Sequence, residues 1–173
     1  MGNTRPPGIR VAVTLGATAA VLAALACAGS PGPDPARSAR LQRASGQTAL
    51  AALSIEQAVR AQPQDVALRV SAAEIQLEAG NENRAVLHLE VARSLHPWDA
   101  EISIRLGEVE QSRGNITDAY VAFHQAALLA PDDVRAVSGL ALAADALGFD
   151  KEAAAAYEHW AELEAKADAG GAQ

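Results

Sequence analysis

The chain has 173 residues, enough for one ordinary domain and an appendage. Half of them are hydrophobic but only six are aromatic (Trp98, Trp160, Tyr120, Tyr157, Phe123 and Phe149), so a core must be built from closely packed Ala, Leu, Val and Ile. The formal charge of −7 argues against a nucleic-acid binder, which presents a basic stripe to phosphates, and suits a soluble acidic surface. Strand-like runs of β-branched and aromatic residues are missing, whereas Ala, Leu, Glu, Gln and Arg are good helix formers. The fold class expected is all-α.

The first forty residues differ from the rest. "MGNTRPPGIR" carries Arg5 and Arg10 and no acid, and sixteen uncharged residues follow from Val11 to Ala26. A basic start, an apolar stretch and small residues in that order predict an export signal. The apolar stretch is short against the ~20 residues that span a bilayer, although an uncleaved anchor is an alternative. Gly2 does not make a myristoylation signal, because Pro6 stands where Ser or Thr is required. Cys27 is the only cysteine, so it cannot close an internal disulfide. "LAALAC", Leu22 to Cys27, resembles the lipobox of bacterial lipoproteins, in which this cysteine receives the lipid and becomes the mature N-terminus. Ala24 and Leu25 reverse the size order of that pattern, and "ALA" before Cys27 also suits ordinary signal peptidase, which would leave a secreted protein. A multiply acylated cysteine anchors stably where a single chain does not. The following "GSPGPDP" suits an extended tether. Loss of Arg5 and Arg10 with the signal would take the charge from −7 to −9.

Beyond the tether a 34-residue register runs to the end. Pro63, Pro97 and Pro131 are 34 apart, each followed two residues later by an acid: Asp65, Asp99 and Asp133. Gly46, Gly80, Gly114 and Gly148 keep the same spacing. Between these marks lie apolar residues at helical spacing: Leu68, Ala72 and Ile75, then Ala85, Leu89 and Ala92; Ile102, Leu106 and Val109, then Ala119, Phe123 and Ala126; Leu140 and Ala143, then Ala153 and Tyr157. Glycine ends the first helix of each pair, proline ends the second, and aspartate caps the next. In "SLHPWDAE", residues 94–101, Pro97 therefore closes one pair and Asp99 opens another, with Trp98 expected to pack in the joint.

Helix, glycine turn, helix and proline at period 34 resemble the tetratricopeptide repeat. The best-matching unit carries Leu106, Gly107, Gly114, Ala119, Phe123, Ala126 and Pro131. Arg69, Ser103 and Val137 replace the early aromatics of that pattern, and Gln76, Glu110 and Ala144 replace the later one. The resemblance implies antiparallel helix pairs stacked as a short right-handed solenoid; the alternative is an unrelated helical bundle. The expected organisation is a signal peptide over 1–26, a lipidated Cys27 with a Gly/Pro tether over 27–35, and about four repeats over 36–167. The repeats divide as 36–65 (truncated), 66–99, 100–133 and 134–167, followed by a disordered tail over 168–173. Trp160 stands where the other units have Ala92 and Ala126, as a lid on the last repeat or as a dimer or partner contact.

Catalytic chemistry is hard to find. His88, His96, His124 and His159 do not pair at i, i+3 or i, i+4, and no metal-ligand cluster or phosphate loop is present. Glu108 with Glu110, and Glu162 with Glu164, read as solvated acids. Asn115-Ile116-Thr117 spells a glycosylation sequon but falls in a repeat turn. No enzyme, metal or cofactor is expected. The resemblance instead implies a concave groove lined by the first helix of each unit. Its positions here are Val70, Glu74, Leu77 and Glu78; Glu101, Ile104, Glu108 and Gln111; and Arg135, Leu142 and Asp145, with Arg40 and Arg43 at one end. Acids alternating with aliphatics suit a partner segment that carries Lys or Arg and apolar anchors. The alternative is that Glu74 and Glu108 are merely solvated, Glu74 lying near Arg40 of the neighbouring unit. The groove lacks the Lys and Asn pattern of members that clamp a C-terminal carboxylate. Taken together these readings imply an exported lipoprotein of the bacterial envelope, an adaptor or scaffold for other envelope proteins. The alternative is a secreted or periplasmic protein that self-associates through the Trp160 end.

Overall fold

A computed structural model describes residues 34–171, which form eight α-helices and no strand. In chain order these are α1 (Pro35–Ala44), α2 (Thr48–Ala61), α3 (Val66–Glu78), α4 (Glu82–Leu95), α5 (Ala100–Ser112), α6 (Ile116–Leu129), α7 (Val134–Ala146) and α8 (Asp150–Gly171). Each helix packs on its neighbours in sequence, and α5 also meets α7 across the intervening helix. Odd-numbered helices open each repeat and even-numbered ones close it, giving a tetratricopeptide-like solenoid. Cys27 and the stretch expected to be an export signal lie outside the described residues.

The two marks of the register act as expected. At each turn the glycine sits at φ near +75°, a left-handed conformation that a Cβ disfavours. The residue after it then returns a hydrogen bond to the helix it has left: Gln47 to Gln42, Asn81 to Gln76, Asn115 to Glu110 and Phe149 to Ala144. At each joint the aspartate opens the next helix. Asp65 accepts from the Leu68 amide at 2.9 Å, Asp99 from Glu101 at 3.0 Å and Asp133 from Arg135 at 2.9 Å.

Two boundaries differ from the sequence reading. Asp34 and Pro35, assigned to the tether, begin α1: Asp34 caps it through the Ala36 amide at 3.0 Å, and Pro35 takes the first turn. A proline there loses no helical hydrogen bond and arrives with its φ already set. The helix is still short, 10 residues against 13 for α3. At the other end, 168–171 continue α8 as helix, not as tail. The place held by Pro63, Pro97 and Pro131 is Ala165 here, so nothing halts a run of good helix formers.

The core packs many alanines among Ile, Leu and Val. Ala58, Ala92 and Ala126 are buried on the second helix of their repeats, where the next repeat's first helix comes in. Five of the six departures from the family pattern go inside too: Gln76, Ser103, Glu110, Val137 and Ala144 are buried, and Arg69 is half-buried. A buried polar group is costly unless hydrogen-bonded; the turns supply partners for Gln76 and Glu110, whereas the Ser103 hydroxyl has none. Asn81 donates to Gln76 at 2.9 Å, and Asn115 donates to Glu110 at 2.7 Å. Glu110 also receives Arg113 at 2.8 Å. The reading of Glu110 as a solvated acid is therefore corrected: its position faces the core, and its charge is held by the turn that follows.

One aromatic side chain stands out in this aliphatic core. Phe123 of α6 is fully buried and lies against Gly107 of α5 and Gly139 of α7. A Cβ at Gly139 would sit 2.5 Å from the phenyl ring, and one at Gly107 2.8 Å from it. Gly139→Ala should thus lose stability, although a helical Gly→Ala change alone gains ~1 kcal/mol. Overpacking of this kind costs about 1–3 kcal/mol. Urea unfolding should show a lower midpoint for Gly139→Ala and partial recovery on adding Phe123→Leu. A stabilised Gly139→Ala would contradict the wedge.

Candidate protein-interaction surface

The first helices of the repeats, α1, α3, α5 and α7, are joined by a ladder of ion pairs. Arg43 of α1 grips Glu78 of α3, its Nε at 2.9 Å and its Nη2 at 2.6 Å from Oε1, and reaches Glu74 at 3.0 Å. Glu74 also takes Arg105 of α5 at 2.6 Å, and Arg105 holds Glu101 at 2.8 Å, one turn away on its own helix. Glu101 takes Arg135 of α7 at 2.6 Å, and Arg135 closes on Asp133 at 3.0 Å. Seven side chains alternate in sign across four repeats. The hydrogen bond from Arg135, with weaker help from Arg105, holds the Glu101 carboxyl below the ordinary carboxylate range, and its partners raise Arg135 in turn.

The expected groove residues separate into three groups. Glu74, Glu78 and Glu101 belong to the ladder and are neutralised by arginines of this chain. The partner of Glu74 from α1 is Arg43, not Arg40. Ile104 is not on the groove at all: it is 1% exposed and packs with Phe123, Ala136 and Ala143. Ala136 and Ala143 place α7 over it. The rest stay open to varying degrees. Leu77, Glu108, Leu142 and Asp145 are exposed, and Val70 and Gln111 are half-buried. Val70, Glu74, Leu77 and Glu108 meet around a small hollow of about 70 Å³, with Arg105, Ala73, Leu89 and Val109 completing its wall.

Glu108 has no hydrogen bond or ion pair among the described residues. Crowding by the surrounding protein raises its carboxyl above the usual range; Arg135 and Arg105 act in the opposite sense but are too weak to reverse it. Sequence reasoning marked these acids without separating the paired from the unpaired. The signal was there in part: Glu101 and Arg105 are four apart on one helix, and Glu101 and Arg135 are 34 apart, the same place in adjacent repeats.

Both tryptophans depart from simple packing. Trp98 was expected in the joint but is 84% exposed, over a hollow of about 660 Å³ that it shares with His96, Pro97 and Glu101. Its register equivalents, Gln64 and Asp132, are exposed polar residues, so the position itself faces water. Trp160 is half-buried, stacked on Tyr157 with ring centroids 6.2 Å apart, and donates to Glu164 at 2.9 Å. Among the described residues no three His, Cys, Asp or Glu side chains gather as metal ligands, and no helix is long and apolar enough to cross a membrane.

The ladder has a testable pH signature. A carboxyl whose folded pKa is depressed stabilises the fold above its unfolded value, about 4.3 for Glu. That contribution disappears as pH falls through the folded value. Arg135→Gln should therefore lower the thermal midpoint at pH 7, by an amount typical of half-exposed pairs, about 0.2–1 kcal/mol per pair. It should match the parent chain once the pH has fallen through the depressed folded values of Glu101 and Asp133, the two carboxylates that Arg135 holds. A difference that persists undiminished in acid would mean that Arg135 stabilises by packing alone.

No protein-family model and no curated protein matches this sequence. Solved structures do match the fold. A crystal structure of MamA superimposes with TM-score 0.69 at 20% identity, covering 78% of each chain. An RS-1 ArsTM double mutant of MamA gives 0.71 at 18% identity over 85% of this chain and 83% of that one. The first TPR of Spaghetti (RPAP3), bound to the HSP90 peptide SRMEEVD, gives 0.58 at 16% identity over 66% of this chain and 90% of that one. At such identities the likeness is one of architecture: this chain is built as a tetratricopeptide-like helical solenoid.

Proposed function

We propose that the chain is a membrane-tethered adaptor of the bacterial cell envelope that binds a segment of another protein on the face of its first helices. The observation that carries this reading is the unpaired part of that face: Val70 and Leu77 beside Glu108, with Leu142 and Asp145 exposed on α7. Apolar contacts give area, while unpaired carboxylates of one sign select among partners. A protein of the same fold holds the peptide SRMEEVD. That peptide carries three acids; the open carboxylates here suit a segment of opposite sign. The tether rests on the sequence of Leu22–Cys27, with a lipid on Cys27 and the Gly/Pro stretch as a spacer. Binding, not catalysis, is the activity proposed.

A second reading has its own support. Tyr157 and Trp160 occupy places whose equivalents, Ile55, Leu89 and Phe123 and then Ala58, Ala92 and Ala126, are buried by the following repeat. In the last unit both aromatics are only half-buried, which would allow a second copy to dock there. Trp160→Ala would then abolish a dimer while leaving other partners bound.

Two measurements test the adaptor. Intact-mass analysis of the mature protein should find Cys27 as an acylated N-terminus; an unmodified N-terminus downstream of it would remove the anchor. Crosslinked co-purification of the full chain should lose its specific partners in Leu77→Asp with Leu142→Asp, substitutions at exposed positions that spare the core. An unchanged partner set would contradict the use of this face.

A further inference from the structure

Glu74 and Glu108 hold the same place in successive repeats, 34 residues apart. Glu74 is served from both sides, by Arg43 of the preceding repeat at 3.0 Å and Arg105 of the following one at 2.6 Å. Moving those two arginines forward by one repeat lands on Leu77 and Gly139. Glu108 is thus the same carboxylate with both of its cations withheld. Gly139 has no freedom to be anything larger, because the Phe123 ring occupies the space of its Cβ. Leu77 is a different matter: it is exposed and lines the same hollow as Glu108, so an arginine would fit there. The nearby cations are committed, Arg105 to Glu74 and Glu101, and Arg135 to Glu101 and Asp133.

We infer that Glu108 is the receptor for a cationic side chain of the partner, an arginine for preference, entering beside Leu77. This inference rests on the adaptor reading and names the chemistry of its partner: a segment with arginine between aliphatic residues. The incoming guanidinium takes the role that Arg43 and Arg105 play at Glu74, and a planar fork can meet a carboxylate through two bonds. Crowding makes the lone charge on Glu108 less comfortable than it would be in water, so a charge-assisted hydrogen bond has more to offer here than at a fully solvated acid. The hollow of about 70 Å³ is the size for one side-chain end, not for a folded ligand. Val70 and Leu77 flank it, and Leu142, the register equivalent of Glu108 in the next repeat, extends the apolar contact.

The probe is a short peptide, acetyl-Ala-Leu-Arg-Leu-Ala-amide, with its citrulline analogue as the neutral isostere. Both are titrated into the isotope-labelled protein and followed by amide chemical shifts. The arginine peptide should move residues around Val70–Leu77 and Glu108 and bind about fivefold more tightly than the citrulline peptide, the upper end for an exposed ion pair. Glu108→Gln should erase that preference. Leu77→Arg restores the missing register arginine and should erase it as well, by pairing with Glu108 internally, while the helical circular dichroism is unchanged. Equal binding of both peptides to the parent chain would overturn the inference and leave the adaptor reading standing; so would a preference that survives Glu108→Gln. Absence of shifts anywhere on this face, with either peptide, would overturn both.

Discussion

Close approach between successive repeats is the constraint on which the rest of the molecule depends. Ala58, Ala92 and Ala126 carry almost no side chain, so the first helix of each following repeat can settle directly on them. That proximity brings Arg43, Arg105 and Arg135 within 2.6 to 3.0 Å of carboxylates on the neighbouring first helices. The ladder follows from the alanines: larger residues at those joints would move the first helices apart. Its half-exposed pairs contribute modestly one by one, and their joint effect is to fix the spacing of one face.

Phe123 is the exception that shapes the candidate site. A phenyl ring in a closely packed aliphatic core needs room, and Gly107 and Gly139 provide it by having no Cβ. The same packing forbids an arginine at position 139, where the register would otherwise place the partner of Glu108. A requirement of the core therefore leaves a carboxylate without its cation on the surface. The ladder has a complementary effect: it removes Glu74, Glu78 and Glu101 from any electrostatic role toward a partner. A face that looks uniformly acidic in sequence is mostly self-neutralised, with its unpaired charge concentrated at Glu108 and Asp145.

Much of the architecture is legible from two scarce residue types. Glycine at 34-residue spacing marks the left-handed turns because few other residues tolerate that backbone, and proline at the same spacing marks helix ends. The aspartates two places on from Pro63, Pro97 and Pro131 cap helices as their chemistry suggests. What the spacing does not reveal is depth. Val70 and Ile104 hold the same register place, yet Ile104 is covered because α7 comes closer than its counterpart does. Gln76 and Glu110 look solvent-bound by composition, but they lie inside, satisfied by Asn81 and Asn115. Trp98 looks like core by hydrophobicity and is not. Proline is ambiguous by itself: Pro97 ends a helix, whereas Pro35 starts one. Arg40 and Arg43 both lie near Glu74 in a helical projection, and only the placed side chains choose between them.

A photo-crosslinking side chain placed at Leu77 in the full-length chain, in intact cells, tests the central claim most directly. The same probe at Leu87, an exposed leucine on the second helix of the repeat, is the control. The account predicts discrete crosslinked partners from position 77 and none of them from position 87. Partners captured from position 87 and absent from position 77 would contradict it.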